Sequence, residues 1–596
     1  MNTALMSIVV VIALGIFSQW LAWRIQWPSI VIMSVAGLII GPVAGLINPE
    51  QALGDIYSPL ISLAVAVILF EGSSSLDVRE IKDVSKSVLR IITIGVFITW
   101  VGGSLAAHYV AGLSLEIAFM IGGLFVVTGP TVIIPLLRQA KLNPRVAGVL
   151  KWEGIIVDPI GPLLALFSYE IFKVISSDAL TGIDLFQFFL GAFVAMALGF
   201  IVGMIVSISV SKGWFPEYLK SAILLSFVLL SFAIAESLMH ETGMLAVTIM
   251  GLTMAGSKKY VSSIGSIGHI VENISVILTS TVFILLAASL TRETLAQIFT
   301  WSIIFFVLIM LFIIRPLSIW ISTIGTELRL AEKTLISWIA PRGIVALTVS
   351  GYFTSLLMDD GYAEASILTA LTFALVFITV CAHGFTIGPV AKKLGLASDE
   401  PPGILLVGAS SFAIALANHL KEMGTPVLIS DTSSERLFRA RELGIETYQG
   451  EILLEHAEFE VDLTPYNSIL AMTGDAAYNA LICQSYVPEF GYNHTFALTV
   501  DSGTGKYLDH TGLPPSLKAN LLFGKGETFK ELNRKINTEY ELKTVEINSK
   551  KTVKKEDLQT DGVVLCIKKK NDTIDFVTLK EKFQIDEGDQ LVILAK

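Results

Sequence analysis

The chain has 596 residues, 53% of them hydrophobic and only 16% charged, with a mean hydropathy of +0.69. Soluble domains carry nearer 25% charged residues, so a wholly soluble protein is excluded, and a net charge of −10 with no long basic stretch gives no nucleic-acid partner. Cys381, Cys483 and Cys566 are too widely spaced for a metal or redox motif, and a fold that needs no disulfide suits a cytoplasmic soluble part.

Apolar runs long enough to cross a bilayer core of about 30 Å fall at 3–21, 28–48, 55–73, 88–110, 113–137, 147–175, 184–211, 217–236, 241–256, 264–290, 299–323, 333–357 and 364–390, thirteen in all. The first run has no Lys or Arg before it and therefore lacks the basic region of a secretory signal. Loops expected inside carry Arg24; Arg79, Lys82 and Lys86; Arg138, Lys141 and Arg145; Lys212; Lys258 and Lys259; Arg329; Lys392 and Lys393. Those expected outside hold only Lys173 and Arg292. This asymmetry places the N-terminus outside, and an odd number of crossings then places residues 395–596 in the cytoplasm.

The fifth run contains Val-Thr-Gly-Pro-Thr (127–131) and the twelfth Ala-Pro-Arg-Gly (340–343). Gly and Pro in mid-span free backbone groups that lipid cannot satisfy, so such a break must line a cavity. Either alone also reads as a proline kink. Together, seven spans apart, Gly129, Pro130, Pro341 and Gly343 are expected to interrupt corresponding helices of two inverted repeats, the sequence pointer to a transporter's binding site.

The ionisable residues singled out inside the runs are Glu71, Glu153, Asp158, Glu236, Glu272, Arg315 and Arg342. Glu272 and Arg315 read as helix-end residues able to snorkel. Asp158 lies within Trp-Glu-Gly-Ile-Ile-Val-Asp-Pro (152–159), in an apolar stretch reaching to about Val174. A carboxylate at that depth costs about 2.5–3.5 kcal/mol on insertion scales. Because a proton or a cation can neutralise it, it can exchange one for the other. Arg342 needs a counter-charge, and Glu153 is the preferred partner because that pairing leaves Asp158 free.

Arg-Ile-Gln-Trp-Pro-Ser-Ile…Ala-Gly-Leu-Ile-Ile-Gly-Pro (24–42), Leu-Phe-Glu-Gly-Ser (69–73), Thr-Gly-Pro-Thr-Val-Ile (128–133), the Asp158 string and Pro-Arg-Gly-Ile-Val-Ala (341–346) follow one another along residues 1–395. In that order they resemble the monovalent cation/proton antiporters of the sodium/proton exchanger superfamily. The resemblance implies a homodimer with a fixed dimerisation domain and a core domain that moves like an elevator. It also implies that Asp158 is the ion-binding aspartate, Thr128 the threonine of the first broken helix, and Glu153 with Arg342 a structural salt bridge. Glu71 joins Asp158 and Thr128 as a further candidate group for the cation or proton. Two positions depart from the family pattern. Val157 stands where the electroneutral branch has Asn and the electrogenic branch Asp, and Gly129 stands where Asp is usual. Coordination then leans on Asp158, Thr128, freed carbonyls and water, and K⁺ remains open beside Na⁺.

After Pro401-Pro402 the chain changes character. Gly-Ile-Leu-Leu-Val-Gly-Ala-Ser-Ser-Phe-Ala (403–413) reads as strand, turn and helix start, and a second strand ends in Asp431, 23 residues beyond Gly408. That is the dinucleotide-binding pattern, with Ser410 and Ala413 in place of the later glycines. Gly408, Ser410, Ser411, Phe412 and Asp431, with Thr473 and Asp475 of Ala-Met-Thr-Gly-Asp-Ala-Ala-Tyr-Asn (471–479), are the candidate nucleotide-binding residues. The later string resembles the fourth-strand motif of regulator-of-potassium-conductance domains, and the tail resembles their small β-rich companion. The expected domains are thus a membrane part at 1–395, a Rossmann-like α/β domain at 402–530 and a small β-rich α+β domain at 537–596. A ligand-free dimerisation module is the alternative to a nucleotide-binding one.

The leading reading is a multi-pass antiporter of the cell (inner) membrane, not an enzyme, exchanging Na⁺ or K⁺ for H⁺. It has no catalytic cofactor, and an adenine nucleotide (AMP, ATP or NAD(H)) is its expected regulator. A membrane-anchored NAD-dependent oxidoreductase fits less well, because the soluble half offers no substrate domain. A nucleotide-gated channel is a third class, which broken helices with buried carboxylates fit less well than alternating access.

Overall fold

The computed structural model describes residues 3–25, 27–76, 81, 84–140, 142–176, 183–257, 264–359, 361–397, 403–454, 457, 461, 463, 465–501, 507–508, 520–523, 526–547, 551–554, 562–570, 572–578, 582–585 and 587–596. The loop cations Arg79, Lys82, Lys141, Lys258 and Lys259, and the Pro401-Pro402 junction, lie outside the described residues. The chain divides into two compact units, Met1–Ala397 and Ser398–Lys596.

The first unit is helical. It opens with α1 (Thr3–Ile25) and α2 (Ser29–Leu38), the latter running on through a π turn, then α3 (Pro49–Leu53) and α4 (Tyr57–Ser74). α5 (Ser85–Arg90) and α6 (Val96–Tyr109) are joined by a second π turn. There follow α7 (Leu115–Leu124), α8 (Pro130–Ala140), α9 (Pro144–Ser176), α10 (Ile183–Ser211), α11 (Lys220–Leu238), α12 (Thr242–Ser257) and α13 (Ile264–Ala288). After α14 (Arg292–Ile298), α15 (Trp301–Ile309) passes through the π turn Met310–Ile314 into α16 (Arg315–Ser322). α17 (Leu330–Trp338), α18 (Ile344–Asp359) and α19 (Leu368–Lys393) complete the unit.

Among the described residues nine helices are long and apolar enough to cross a membrane, and four shorter apolar helices accompany them. Large apolar side chains lie exposed along α10, Phe186, Phe193 and Phe200 among them. A helix apolar on its outer as well as its inner face belongs in lipid. The expected interruptions are present: α7 stops at Leu124 and α8 starts at Pro130, α17 stops at Trp338 and α18 starts at Ile344. Proline at the first helical position costs α8 no hydrogen bond, since that N–H has no partner inside a helix.

The second unit carries a six-stranded sheet in the order β3-β2-β1-β4-β5-β8. Its members are β1 (Gly403–Val407), β2 (Val427–Asp431), β3 (Glu446–Gln449), β4 (Tyr466–Ala471), β5 (Thr495–Ala497) and β8 (Asn520–Leu521), every pairing parallel. The strands β6 (Val500–Asp501) and β7 (Tyr507–Leu508) form a separate antiparallel pair. Crossover helices α20 (Ser411–Glu422) and α21 (Ser434–Glu442) follow β1 and β2, and α22 (Ala476–Phe490) follows β4. β1 sits at the point where strand order reverses, which puts its C-terminal end at the crevice where such sheets bind ligands. α23 (Phe529–Ile536) leads to β9 (Glu541–Glu546), β11 (Gly562–Lys568), β12 (Ile574–Phe576) and β14 (Gln590–Ala595), an antiparallel sheet ordered β12-β11-β14-β9. A further antiparallel pair joins β10 (Lys551–Lys554) to β13 (Lys582–Ile585). Leu406, Phe412 and Phe523 share one apolar cluster with Leu565, Cys566 and Val592, so the two expected soluble domains have a common core.

Candidate functional site

The two interrupted helices meet at their breaks. Gly129 donates its N–H to Pro341 O at 3.2 Å. A Cβ on Gly343 would lie 2.6 Å from Gly129 Cα and 3.8 Å from Asp158 Oδ1. Only glycine at both positions lets the backbones touch, and the contact leaves Asp158 directly beside the crossing. Asp158 is 1% exposed and its Oδ1 has no hydrogen-bond partner; Thr128, 3% exposed, likewise has an unpartnered Oγ1. The Thr128 carbonyl faces α9 at Gly154, one turn before Asp158, where a Cβ would come within 3.4 Å of it. Pro159 and Pro162 lie inside α9. Each lacks the N–H that would close on the carbonyl four residues earlier, here those of Ile155 and of Asp158 itself. One burial site thus gathers a carboxylate, a hydroxyl and freed carbonyls, the hard oxygen donors that suit a small cation. Among the described residues no group of three or more His, Cys, Asp or Glu could hold a resident metal.

The expected Glu153–Arg342 pair is not formed. Glu153 is paired with Arg315, whose Nη1 and Nη2 each take one carboxylate oxygen, the second at 2.9 Å. Arg315 is only 5% exposed and does not snorkel. The π turn Met310–Ile314 directly before it changes the phase of the helix, a shift that residue spacing does not reveal. Its Nη2 also donates to Ile336 O and Ile339 O, 3.0 and 2.9 Å, at the C-terminal end of α17. Arg342 does the corresponding service for the other broken helix: its Nη1 donates to Val126 O and Val127 O, 3.0 and 2.7 Å, just past α7. Each guanidinium therefore meets the negative end of a half-helix and the carbonyls that the break exposes.

Glu71, on α4, accepts from Ser275 Oγ on α13 at 3.5 Å, while its neighbour Gly72 packs near Ile155 and Pro130. Behind the crossing a cavity of about 10 Å³ is lined by Arg315, Arg342, Trp338, Thr379 and His383, among others. His383 is 1% exposed with both ring nitrogens unpartnered, and Thr379 Oγ1 accepts the Arg342 N–H at 3.2 Å. The sequence reading passed over both. A histidine inside an apolar run was the signal for one; nothing marked the threonine.

In the second unit Gly408 has φ +106°, which glycine alone adopts readily, at the turn between β1 and α20. Several donors there are already engaged. Ala409 N–H reaches Asp431 Oδ2 at 2.8 Å, Ala413 N–H reaches Ser410 Oγ at 3.2 Å, and Phe412 N–H reaches Asn533 Oδ1 of α23 at 3.0 Å. Asp431 also accepts from Ser433 N–H at 2.8 Å and pairs with Arg436 at 2.9 Å. Ser411 opens α20, Asp475 caps α22 through Ala477 and Tyr478, and Thr473 Oγ1 donates to Asn479 Oδ1 at 2.6 Å.

Crossed helix breaks beside a buried carboxylate, in a bundle of apolar helices joined to a parallel α/β sheet, define a membrane ion transporter with a nucleotide-binding-type appendage. Residues 8–393 match the sodium/hydrogen exchanger transmembrane family, and residues 404–514 match the TrkA-N domain, a nucleotide-binding fold. The chain belongs to the sodium/hydrogen exchanger family. It is 26% identical over 408 residues to the Na(+)/H(+) antiporter 1 of Methanocaldococcus jannaschii, covering 64% of this chain and 94% of that protein. To the K(+)/H(+) antiporter NhaP of Alkalimonas amylolytica it is 23% identical, covering 67% and 68%. Among solved structures, the sodium proton antiporter MjNhaP1 of Methanocaldococcus jannaschii at pH 8 superposes with TM-score 0.59 at 23% identity, over 66% of this chain and 99% of that one.

Proposed function

We propose that the protein exchanges one Na⁺ for one H⁺ across the membrane, with Asp158 carrying each in turn. The observation that carries this reading is the unpartnered Oδ1 of a 1%-exposed Asp158 at the crossing of two broken helices. A buried ionised carboxylate is not tolerated alone; it must hold a proton or a cation, and it cannot hold both. Thr128 and the carbonyls freed by Pro159 and Pro162 supply further oxygens for the cation. Glu153 is neutralised by Arg315, so one titrating carboxylate serves each cycle and the exchange is electroneutral.

K⁺ is the second reading, favoured by Val157 and Gly129, which bring no additional charged or amide ligand close to Asp158. Thirteen crossings, the N-terminus outside, residues 395–596 in the cytoplasm, a homodimer and an elevator movement of the core complete the proposal. An adenine nucleotide on the TrkA-N domain tunes the exchange. The test is proton flux in proteoliposomes with Na⁺, K⁺ and Li⁺ added separately. Flux with none of the three, or flux unchanged in Asp158→Asn, overturns it.

A further inference from the structure

The α11–α12 turn holds a carboxyl group for which the exchange described above has no use. Glu241 is 7% exposed, its Oε2 is buried without a hydrogen-bond partner, and its backbone sits at φ +66°. That is the left-handed region, which a glutamate seldom occupies without support from its surroundings.

Glu236 supplies that support. Its Oε1 accepts from Glu241 N–H at 2.9 Å and its Oε2 from Gly243 N–H at 3.0 Å, so both oxygens are committed, as a carboxylate, to the start of α12. The ionisable groups that face Glu241 are Glu236 on α11, His240 in the turn, Tyr352 on α18 and, beyond that tyrosine, Glu170 on α9. His240 lies 3.6 Å from Glu236 and stacks on Tyr352 with ring centroids 5.9 Å apart. Among the described residues no Lys or Arg serves Glu241. A negative charge buried at Glu241 beside the Glu236 carboxylate is therefore strongly disfavoured, and the chemistry calls for a proton.

We propose that Glu241 is a second proton-binding site, at the external mouth of the transport path, whose proton is released when that mouth opens to admit a cation. Tyr352 belongs to α18, the half-helix that begins beside Gly343, so the His240–Tyr352 stack joins the turn to the broken helix. With Glu241 protonated the turn carries one carboxylate, that of Glu236, and the stack closes the mouth. Once ionised, Glu241 repels Glu236 and loosens the turn. The proton leaves to the outside and returns from the outside, so the exchange ratio at Asp158 is unchanged. External cation binding then releases two protons, one from Asp158 and one from Glu241.

The inference rests on the proposed orientation, and the experiment keeps the two apart. In oriented proteoliposomes the pH on each side is varied separately while apparent cation affinity is measured. With external pH lowered, the logarithm of apparent affinity in the wild type should fall with a limiting slope of about two per pH unit, and in Glu241→Gln with a slope of about one. Equal slopes overturn the site. A second proton that answers to the side bearing residues 398–596 upholds the site and overturns the orientation. Should Glu241→Gln fold poorly, infrared difference spectra of Asp158→Asn on alkalinisation provide the second measurement. The loss of a protonated-carboxyl band there supports the proposal, and a spectrum without one overturns it.

Discussion

Arg315 holds both oxygens of Glu153 and, through the same Nη2, the carbonyls of Ile336 and Ile339. One guanidinium thus ties α9, which carries Asp158, to the end of the first half of a broken helix. Removing Arg315 leaves a buried carboxylate and two carbonyls without donors. Arg315→Ala should cost about 3–5 kcal/mol, more than Glu153→Ala, in which the carbonyls keep their donor. Thermal unfolding in detergent checks the order, and equal stability of both variants and wild type would remove the pair from the framework. Arg342→Ala should destabilise less than Arg315→Ala, because no carboxylate depends on it for a counter-charge.

Gly343→Ala tests the crossing. Its Cβ would stand 2.6 Å from Gly129 Cα, so the two breaks must separate, at a cost of about 1–3 kcal/mol for overpacking. Exchange should fall sharply, because Asp158 loses its fixed position beside Thr128. Gly351, also on α18, has nothing within 4 Å of a Cβ, and Gly351→Ala should transport normally. Similar activities in the two variants would show that close contact at the crossing is not required.

Much of this site was legible in the sequence. Gly-Pro and Pro-Arg-Gly inside apolar runs identified both interruptions, because lipid leaves free backbone groups no other satisfaction, and the isolation of Asp158 among apolar residues singled it out as a buried carboxyl group. What stayed hidden depends on helix phase and on distance along the chain. Arg315 was within view but was assigned to a helix end, since the π turn that redirects it leaves no mark in residue spacing. Glu241 is the first residue of the run 241–256, where a carboxylate at a run's edge does not stand out. Asn533 meets Phe412 across 121 positions, which no local pattern records.

Asp158→Asn should abolish exchange while leaving the protein inserted and folded, since an amide binds neither a proton nor a cation electrostatically. The wild-type exchange should be indifferent to voltage. A net charge per cycle would couple at about 2.3 kcal/mol per 100 mV, more than tenfold in the driving equilibrium. A potential set by an anion gradient should therefore leave the endpoint of cation accumulation unmoved. An endpoint that follows the potential means a second transported charge, and Glu71 would be the first group to replace.

The thiols of Cys483 and Cys566 report on the second unit. Burial pushes both up to about 12, so at pH 8 the reactive thiolate is about one part in ten thousand. Neither should label with a maleimide until the unit unfolds. Rapid labelling of Cys566 in the native protein would mean that the core it shares with Phe412 and Val592 opens readily, and rapid labelling of Cys483 the same for its own cluster with Leu405 and Val407.

Adenine nucleotide binding should be weak in the wild type and stronger in Asn533→Ala. The turn after Gly408 is where a helix N-terminus would receive a phosphate, yet Asn533 Oδ1 already accepts from Phe412 N–H and Asp431 Oδ2 from Ala409 N–H. A pyrophosphate must displace the asparagine, and with it the middle of α23, which leads into the β9–β14 segment. Removing one neutral hydrogen bond of this kind changes affinity by about 0.5–1.5 kcal/mol, roughly two- to tenfold. Among the described residues Asp431 Oδ2 accepts only from Ala409 N–H and has room for a ribose hydroxyl, and its charge repels a 2′-phosphate, so AMP, ATP or NAD(H) should bind in preference to NADP(H). Asp431→Asn, which keeps an acceptor for Ala409, should lose that preference without unfolding the turn. Calorimetry on the full-length protein in detergent measures both variants against wild type. If Asn533→Ala binds no adenine nucleotide at millimolar concentration, the unit is a structural module, and the asparagine is part of its core and not a plug in a binding site.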